Sequence, residues 1–304
     1  MIMGINPKLL AQVKNITITS KVNPDKSVSL FYEKKLPGSY FVSLEFANMT
    51  NCDTYEYKTV IMNYSGSLTR LVPINKNQGI SYSLRYQSTI GDPSPNVDSD
   101  FQYLLPFKNG KKIKINVASH VGEKYFGNEK PKNWTDYVVN SETPDTLYCM
   151  RKGIVVKVEN QYDVDSSVEV NYTSKRNSIV IEHGDGTYAR YVGFKKNSIN
   201  VKLGQIVYPQ TQLGIMEIFN KNKYRASFAI YFLSDKALRE LPTETMKNYK
   251  SNYEYVTPNF VTPEGIIKVE SGKEYTSVFN ETVLLQELTR SEKKKYSKNT
   301  LYLN

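Results

Sequence analysis

The amino-acid sequence predicts an all-β protein. Short runs in which apolar and polar residues alternate recur along the chain between turn residues, and this period of two is typical of half-buried strands. A hairpin is indicated at 178–191, where two such runs flank Gly184-Asp185-Gly186 and the turn needs the positive φ that glycine adopts cheaply. The 24 tyrosines favour the same class, because tyrosine suits a pleated, half-buried surface.

Residues 1–98 are predicted to form a β-sandwich of immunoglobulin-like type, because short strands alternate there with turn clusters. The strand-like segments are 27–32, 40–46, 54–61, 68–72 and 80–86. Residues 91–100 are polar and hold two prolines, which indicates a domain boundary. Residues 1–98 contain no group of residues typical of a catalytic site, so we expect a spacer or binding domain.

Residues 99–235 form a second predicted β domain, and residues 236–304 a small C-terminal extension. A glycine opens the strand expected at 153–159, and glycines and a proline divide 201–215 into short apolar pieces. In the extension, 236–241 is compatible with a short helix and 265–269 with a strand. The charged run at 290–295 is expected to be a mobile tip.

The bulk properties narrow the possible partners. A formal charge of +10 favours anionic surroundings, although lysine-rich loops account for much of it and no nucleic-acid-binding module accompanies it. No apolar run approaches the length of a transmembrane helix, and no signal peptide is visible at the start. Cys52 and Cys149 lie in different predicted domains and lack metal-type spacing, so two unpaired core thiols are expected.

The order of the motifs resembles a known family. A strand after Arg-Lys-Gly, an Ile-x-His-x-Asp-Gly-Thr-x-x-x-Tyr hairpin and a later Val-Lys-x-Gly-x-x-Val are similar to the LytM or lysostaphin type of zinc peptidase. The likeness covers roughly 101–232, and its Leu-Pro-Phe-x-x-Gly lead-in at 104–110 resembles bacterial envelope members with an extra N-terminal β domain. The resemblance implies a LytM-type (duplicated hybrid motif) β domain with an open groove, and an envelope location, periplasmic or associated with the outer membrane.

The same resemblance implies a zinc site that this chain has lost. Members of the family use five positions that need four histidines, whereas this chain has two histidines. The match leaves Asp136 as the one vestigial ligand. It puts Gly127 at the first zinc histidine, Gly193 at a later catalytic histidine, and Arg225 and Ser227 at the His-x-His pair. The prediction is that no zinc or other cofactor is bound.

The two histidines that remain have other expected roles. His183 matches a family histidine that is not a zinc ligand, and beside the turn it is expected to bond backbone. His120 could take the place of the first zinc ligand across a loop, which stays an open alternative to Gly127.

The function predicted from these residues is that of a non-catalytic pseudopeptidase, a binding, scaffolding or regulatory module. Its expected partners are other envelope proteins or peptidoglycan, with anionic envelope polymers as a further possibility and no nucleic acid. One alternative is a zinc metalloendopeptidase that cuts peptidoglycan cross-links with a remodelled site around Asp136 and His120 or Glu217. A second alternative is an accessory subunit of an outer-membrane complex.

The former active-site groove is expected to persist as a recognition surface, with Tyr191 near Asp136, Arg225 and Ser227 on its floor. Two roles for Arg225 stay open. Its guanidinium could bind the carboxylate of a ligand, or it could only neutralise Asp136.

Overall fold

The computed structural model describes residues 15–120, 123–124, 130–163, 175–220, 223–235 and 251–298. These residues are nearly all in strands and connections, which confirms the predicted all-β class. The chain divides into two compact units. The first consists of Met1–Leu36 and Val42–Ser88, and the second of Pro37–Phe41 and Thr89–Asn304.

The elements are numbered in chain order through the described residues. The strands are β1 (Ile16–Val22), β2 (Val28–Lys34), β3 (Tyr40–Thr50), β4 (Glu56–Ile61), β5 (Ser65–Leu71), β6 (Ser81–Ile90), β7 (Gln102–Leu104), β8 (Lys112–Val117), β9 (Tyr137–Ser141), β10 (Thr146–Tyr148), β11 (Gly153–Glu159), β12 (Ser178–Glu182), β13 (Tyr188–Val192), β14 (Ile206–Val207), β15 (Gln212–Ile215), β16 (Ile218–Asn220), β17 (Lys223–Leu233), β18 (Tyr253–Val256), β19 (Asn259–Thr262), β20 (Gly265–Ile267) and β21 (Lys273–Thr276). The helices are α1 (Glu281–Leu285) and α2 (Arg290–Ser297).

The first unit holds two three-stranded sheets, β1-β2-β5 and β4-β3-β6. Alternate residues are buried along each of its long strands, for example Val28 and Leu30 in β2, and Val42, Leu44 and Phe46 in β3. All five strand-like segments predicted for this region coincide with a strand, and β1 is an addition that the sequence did not predict. The immunoglobulin-like form of this unit stays a prediction.

The second unit is built on one large sheet. Its described strands follow the order β14-β11-β12-β13-β17-β9-β8-β21, and β16 and β18 also pair with β17. The longest of them, β17, runs antiparallel to β13 on one side and to β9 on the other. In this register Ser227 lies opposite both Val192 and Val138. The smaller sheets are β20-β19-β7 and β10-β15.

The two faces of the large sheet differ in chemistry because side chains alternate along each strand. Tyr191 and Phe228 point into the main hydrophobic core, whereas Arg190 and Ser227, one position away on the same two strands, lie on the opposite face. The expectation that Tyr191 lies near the groove floor is therefore wrong. Its ring is fully buried, and its hydroxyl accepts a hydrogen bond from the backbone N–H of Met150 at 2.9 Å.

The predicted hairpin is present and joins β12 to β13. Gly186 has φ +85°, and its N–H donates to the carbonyl of His183. The Asp185 carboxylate accepts from the backbone N–H of Thr187 at 3.0 Å, which closes the turn. The positive φ explains why the turn has glycine after aspartate.

The end of the chain is more ordered than the sequence suggests. Instead of a mobile tip at 290–295, the structure has α2, with Thr289 and Glu292 forming a capping box at its start. Lys152 donates to the same Glu292 carboxylate at 2.7 Å, which fastens the helix to the start of β11. The helix-compatible segment 236–241 lies outside the described residues.

Both cysteines are buried and unbridged, as the sequence predicts. Across the described ranges, no helix is long and apolar enough to cross a bilayer.

Candidate functional site

The positions that the resemblance assigns to the site meet on the outer face of the large sheet. Asp136 directly precedes β9, Arg225 and Ser227 lie on β17, and Gly193 directly follows β13. Because β17 is paired with both other strands, residues far apart in sequence become neighbours here. Gly127 lies outside the described residues.

Gly193 stands where the backbone leaves no room for a side chain. Its φ is +104°, a conformation that favours glycine. A Cβ at this position would lie 2.5 Å from the backbone oxygen of Arg225 and 2.6 Å from Nη2 of Arg176. The surrounding backbone is fixed by hydrogen bonds, since the N–H of Gly193 donates to Asn177 and its carbonyl accepts from Glu217. A histidine therefore does not fit the present backbone.

Asp136 forms an ion pair with Arg190 of β13, Oδ2 to Nη2 at 3.5 Å. Arg190 lies opposite Ala229, and the register of β9 continued by one residue brings Asp136 opposite Ala229 as well. The small side chain of Ala229 thus lets a carboxylate and a guanidinium meet over the middle strand. Arg190 is thus an ion-pair partner of Asp136, and Arg225 adds a nearby positive charge that lowers the pKa of the same carboxyl. The choice between the two roles of Arg225, ligand binding or neutralisation of Asp136 only, stays a prediction.

The environment of Asp136 disfavours its negative charge. Burial raises the pKa of its carboxyl above the ordinary 3.8, and the positive charges of Arg190, Arg176 and Arg225 oppose that rise. The Ser227 hydroxyl also lowers the pKa. Oδ1 is buried and has no hydrogen-bond partner among the described residues.

A second arginine–carboxylate pair lies beside the first. Nε of Arg176 donates to the Glu217 carboxylate, and Nη2 of Arg176 donates to the backbone oxygen of Arg225 at 2.9 Å. The guanidinium of Arg225 lies 4.6 Å from the ring centre of Phe219, within the range of a cation–π contact. Burial raises the pKa of Glu217, and Arg176 opposes the rise through its charge and its hydrogen bond.

Sequence reasoning missed Arg176 and Arg190. The sequence could have indicated Arg190. Side chains alternate along 188–192, so Arg190 lies on the same face as Val192, and Val192 is opposite Ser227 in the sheet. Arg176 precedes β12 in a connection, and a connection has no periodicity from which its direction could be inferred. We name the set Asp136, Arg176, Arg190, Glu217 and Arg225 the arginine–carboxylate cluster.

The cluster does not have the donor set of a metal centre. Within the described part of the chain, no group of three or more His, Cys, Asp or Glu side chains is close enough to hold an ion. His120 belongs to no such group: its Nδ1 accepts from the backbone N–H of Glu123 at 3.0 Å, and its ring centre lies 5.2 Å from that of Trp134.

His183 is buried in the hairpin next to a different charged network. Its Nδ1 bonds the hydroxyl of Thr187 at 2.9 Å, so its partner is a side chain and not the backbone group expected. Burial first, and then the positive charge of Arg151, hold its pKa well below 6.5, while Asp185 acts in the opposite direction. The ring is therefore neutral at pH 7 and belongs to the packing of the turn.

The comparisons with known proteins come from solved structures alone, since no family model and no curated sequence matches the chain. A protein described as an M23 peptidase from Pseudomonas aeruginosa has 12% identity and a TM-score of 0.28, over 62% of this chain and 82% of that one. A zinc-containing peptidase from Vibrio cholerae has 13% identity and a TM-score of 0.26, over 69% and 75%. Csd3 from Helicobacter pylori has 10% identity and a TM-score of 0.27, over 94% and 84%. The likeness to all three structures is remote.

Proposed function

We propose that this chain is a non-catalytic binding module of LytM type, a pseudopeptidase that acts as a scaffolding or regulatory part of a bacterial cell envelope. The observation that carries the proposal is the ion pair between Asp136 and Arg190. The one family ligand that survives in the sequence is paired with a guanidinium, and two more arginines, Arg176 and Arg225, bring positive charge to the same carboxylate.

The residues of the cluster do not suit a zinc ion. A zinc site usually takes three protein ligands from His, Cys or carboxylate side chains. Here Ser227 is a poor neutral ligand, Gly193 has no side chain, and Arg225 carries a charge that repels a cation. The two histidines of the chain have other partners at Nδ1, the backbone N–H of Glu123 for His120 and the Thr187 hydroxyl for His183.

A binding role is favoured by what the site retains. The outer face of the sheet still presents guanidinium, carboxylate and hydroxyl groups next to one another, and convergent polar groups are typical of ligand sites. The net charge of +10 favours partners with negative charge. We therefore propose envelope proteins or peptidoglycan as the partners, in the periplasm or at the outer membrane.

Digestion of purified peptidoglycan tests the absence of activity. The chain should release no soluble fragments above the blank, with or without added zinc, while an active zinc peptidase of the M23 type digests the same preparation. Release that a chelator abolishes, and that Asp136→Ala also abolishes, would overturn the proposal. Sedimentation of the chain with insoluble peptidoglycan tests the binding role in the same samples.

A further inference from the structure

The two sides of helix α2 differ in charge. Arg290, Lys293 and Lys294, with Lys298 directly after the helix, lie on one side, because residues three, four and eight positions apart are neighbours on a helix. All four residues are exposed. Glu292, the acid of this helix, lies on the opposite side. We name the four cations the basic face.

The side of α2 that carries Glu292 is bound to the rest of the second unit. The Glu292 carboxylate accepts from Nζ of Lys152 at 2.7 Å and from the hydroxyl of Tyr208 at 2.8 Å. Tyr296, one helical turn further along, is on the same side, and its hydroxyl interacts with Glu281 of α1. These contacts fix the rotation of the helix about its axis. The basic face is therefore held toward solvent.

The acids next to the basic face are compensated by other cations. Glu287, which precedes α2, accepts from Arg151 at 2.7 Å, and Glu292 accepts from Lys152 at the same distance. Within the ranges that the structure describes, none of the four residues of the basic face forms an ion pair with an acid. The basic face thus carries positive charge that is available to a partner with negative charge.

Exposed aliphatic side chains lie beside this helix. Leu203 is 44% exposed and Ile206 is 55% exposed. Ile206 begins β14 two positions before Tyr208, so both side chains leave the same face of the chain, and Tyr208 contacts Glu292 of α2. Lys202, next to Leu203, is exposed as well. A bilayer interface accepts cations and aliphatic side chains together, whereas a hydrated polymer offers the aliphatic groups no apolar contact.

We infer that the basic face, together with Leu203 and Ile206, is a docking surface for a lipid bilayer with anionic headgroups. Each cation close to such a surface strengthens binding by a factor of about five, which is the equivalent of about 1 kcal/mol. The attraction is screened by salt, because the cations are exposed. The inference goes beyond the proposed function and does not depend on the loss of peptidase activity, since α2 lies outside the arginine–carboxylate cluster.

Flotation of the full chain with lipid vesicles tests the surface. One set of vesicles is pure phosphatidylcholine, and the other contains about one third phosphatidylglycerol, which carries one negative charge. We expect the chain to bind the anionic vesicles about tenfold or more tightly, and to dissociate from them as salt is added. Equal binding to both sets, or binding that added salt leaves unchanged, would overturn the inference.

A pair of double variants assigns the binding to α2. Lys293→Gln with Lys294→Gln removes two cations of the basic face and should weaken binding to the anionic vesicles about tenfold or more. Lys112→Gln with Lys114→Gln is the matched control, because it removes the same charge at exposed positions of β8, near the other end of the large sheet. Equal losses in the two variants would show an effect of net charge alone and would overturn the inference.

A third double variant distinguishes a bilayer from a soluble polyanion. Leu203→Gln with Ile206→Thr keeps every charge, so it should bind the anionic vesicles severalfold more weakly and should bind dextran sulfate as the wild type does. Unchanged binding to the vesicles would mean a surface for polyanions in general and would overturn the choice of a bilayer. This variant also decides if the lysine variant does not fold. Zinc content and peptidoglycan digestion are measured separately, so the proposed function can stand or fail independently.

Discussion

Asp136 and Arg190 approach to 3.5 Å although a whole strand, β17, lies between the strands that position them. The pair is possible because Ala229, opposite Arg190, is too small to separate them. The carboxylate that the sequence resemblance assigns to a metal site is one half of an ion pair in this structure. Its chemistry in this chain is that of a charge in a buried network.

Replacing Asp136 and replacing Arg190 should have different effects on the stability of the fold. Burial raises the pKa of Asp136, so the folded state holds its proton more tightly than the unfolded state. That contribution to stability is complete below the ordinary pKa of 3.8 and is lost as the pH rises through the raised folded value. At pH 7 the ionised carboxylate therefore costs stability. We expect Asp136→Asn to leave the free energy of unfolding unchanged or to increase it by about 1 kcal/mol.

Arg190→Gln should have the opposite effect, because it leaves Asp136 with less compensation. A fully buried pair would lose about 3–5 kcal/mol, but the side chain of Arg190 is 36% exposed and solvent screens it, so we expect about 2 kcal/mol. Urea unfolding at pH 7 measures both variants. If Asp136→Asn proved the more destabilising of the two, the description of a carboxylate held at a cost would be wrong.

Gly193 should not tolerate any side chain. We expect Gly193→Ala to lower the free energy of unfolding by about 3 kcal/mol, since the new Cβ adds a clash with the backbone of Arg225 to the strain of a positive φ. Gly265→Ala is the matched control, because Gly265 has φ +119° and open space around it. It should cost about 1 kcal/mol, from the backbone conformation alone. Equal losses in thermal unfolding would contradict the close approach at Gly193.

Much of the fold follows from local sequence patterns. The period of two in segments such as 40–46 and 178–182 predicts the strands, and the Asp-Gly turn predicts the hairpin, because strands and turns depend on neighbouring residues. The order of strands in the large sheet is different. That β17 lies between β9 and β13 depends on contacts between segments far apart in sequence, which no local pattern contains.

The candidate site, too, could be predicted only in part from the sequence. The resemblance to LytM-type peptidases led to Asp136, Gly193, Arg225 and Ser227, and the structure brings these residues together. It could not identify Arg190 as the partner of Asp136, because that pairing depends on the register of three strands. The helix α2 differs from the prediction for another reason: the capping box of Thr289 and Glu292 that begins it lies at a charged run, and the run of charges predicted a mobile tip.

His183 should make stability fall in mild acid. Its pKa in the folded state is well below 6.5, so the unfolded state takes up a proton first as the pH decreases. Stability is full above pH 6.5 and is lost below it, by up to about 1.4 kcal/mol per pH unit. His183→Asn keeps an acceptor near Thr187 and has no imidazole to titrate, so its unfolding free energy should change less between about pH 6.5 and 5.

The control is His120→Asn, which removes the other histidine of the chain and so shows which imidazole is responsible for the slope. Identical slopes for wild type and His183→Asn would show that a different group is responsible. Chemical denaturation at a series of pH values supplies all three curves.

The Arg151–Glu287 ion pair should hold the C-terminal segment to the large sheet, next to β11. The side chain of Arg151 is 2% exposed, and its guanidinium bonds Glu287 through Nη2 at 2.7 Å and Nε at 3.0 Å, and Asp185 at 2.8 Å. Glu287→Gln removes one of two charges that compensate a buried cation, and we expect a loss of about 2 kcal/mol. Glu281→Gln, at an exposed acid of α1, is the control. Equal melting temperatures for the two variants would mean that the pair is not holding the segment.

The zinc content of the purified full chain is the sharpest test of a degenerate metal site. Elemental analysis after loading with excess zinc and desalting should find far less than one zinc per chain, because the donors around Asp136 are guanidiniums and a hydroxyl. Asp136→Ala should give the same low value. One tightly held zinc per chain, lost on Asp136→Ala, would contradict the proposal that this site has exchanged a metal for arginine.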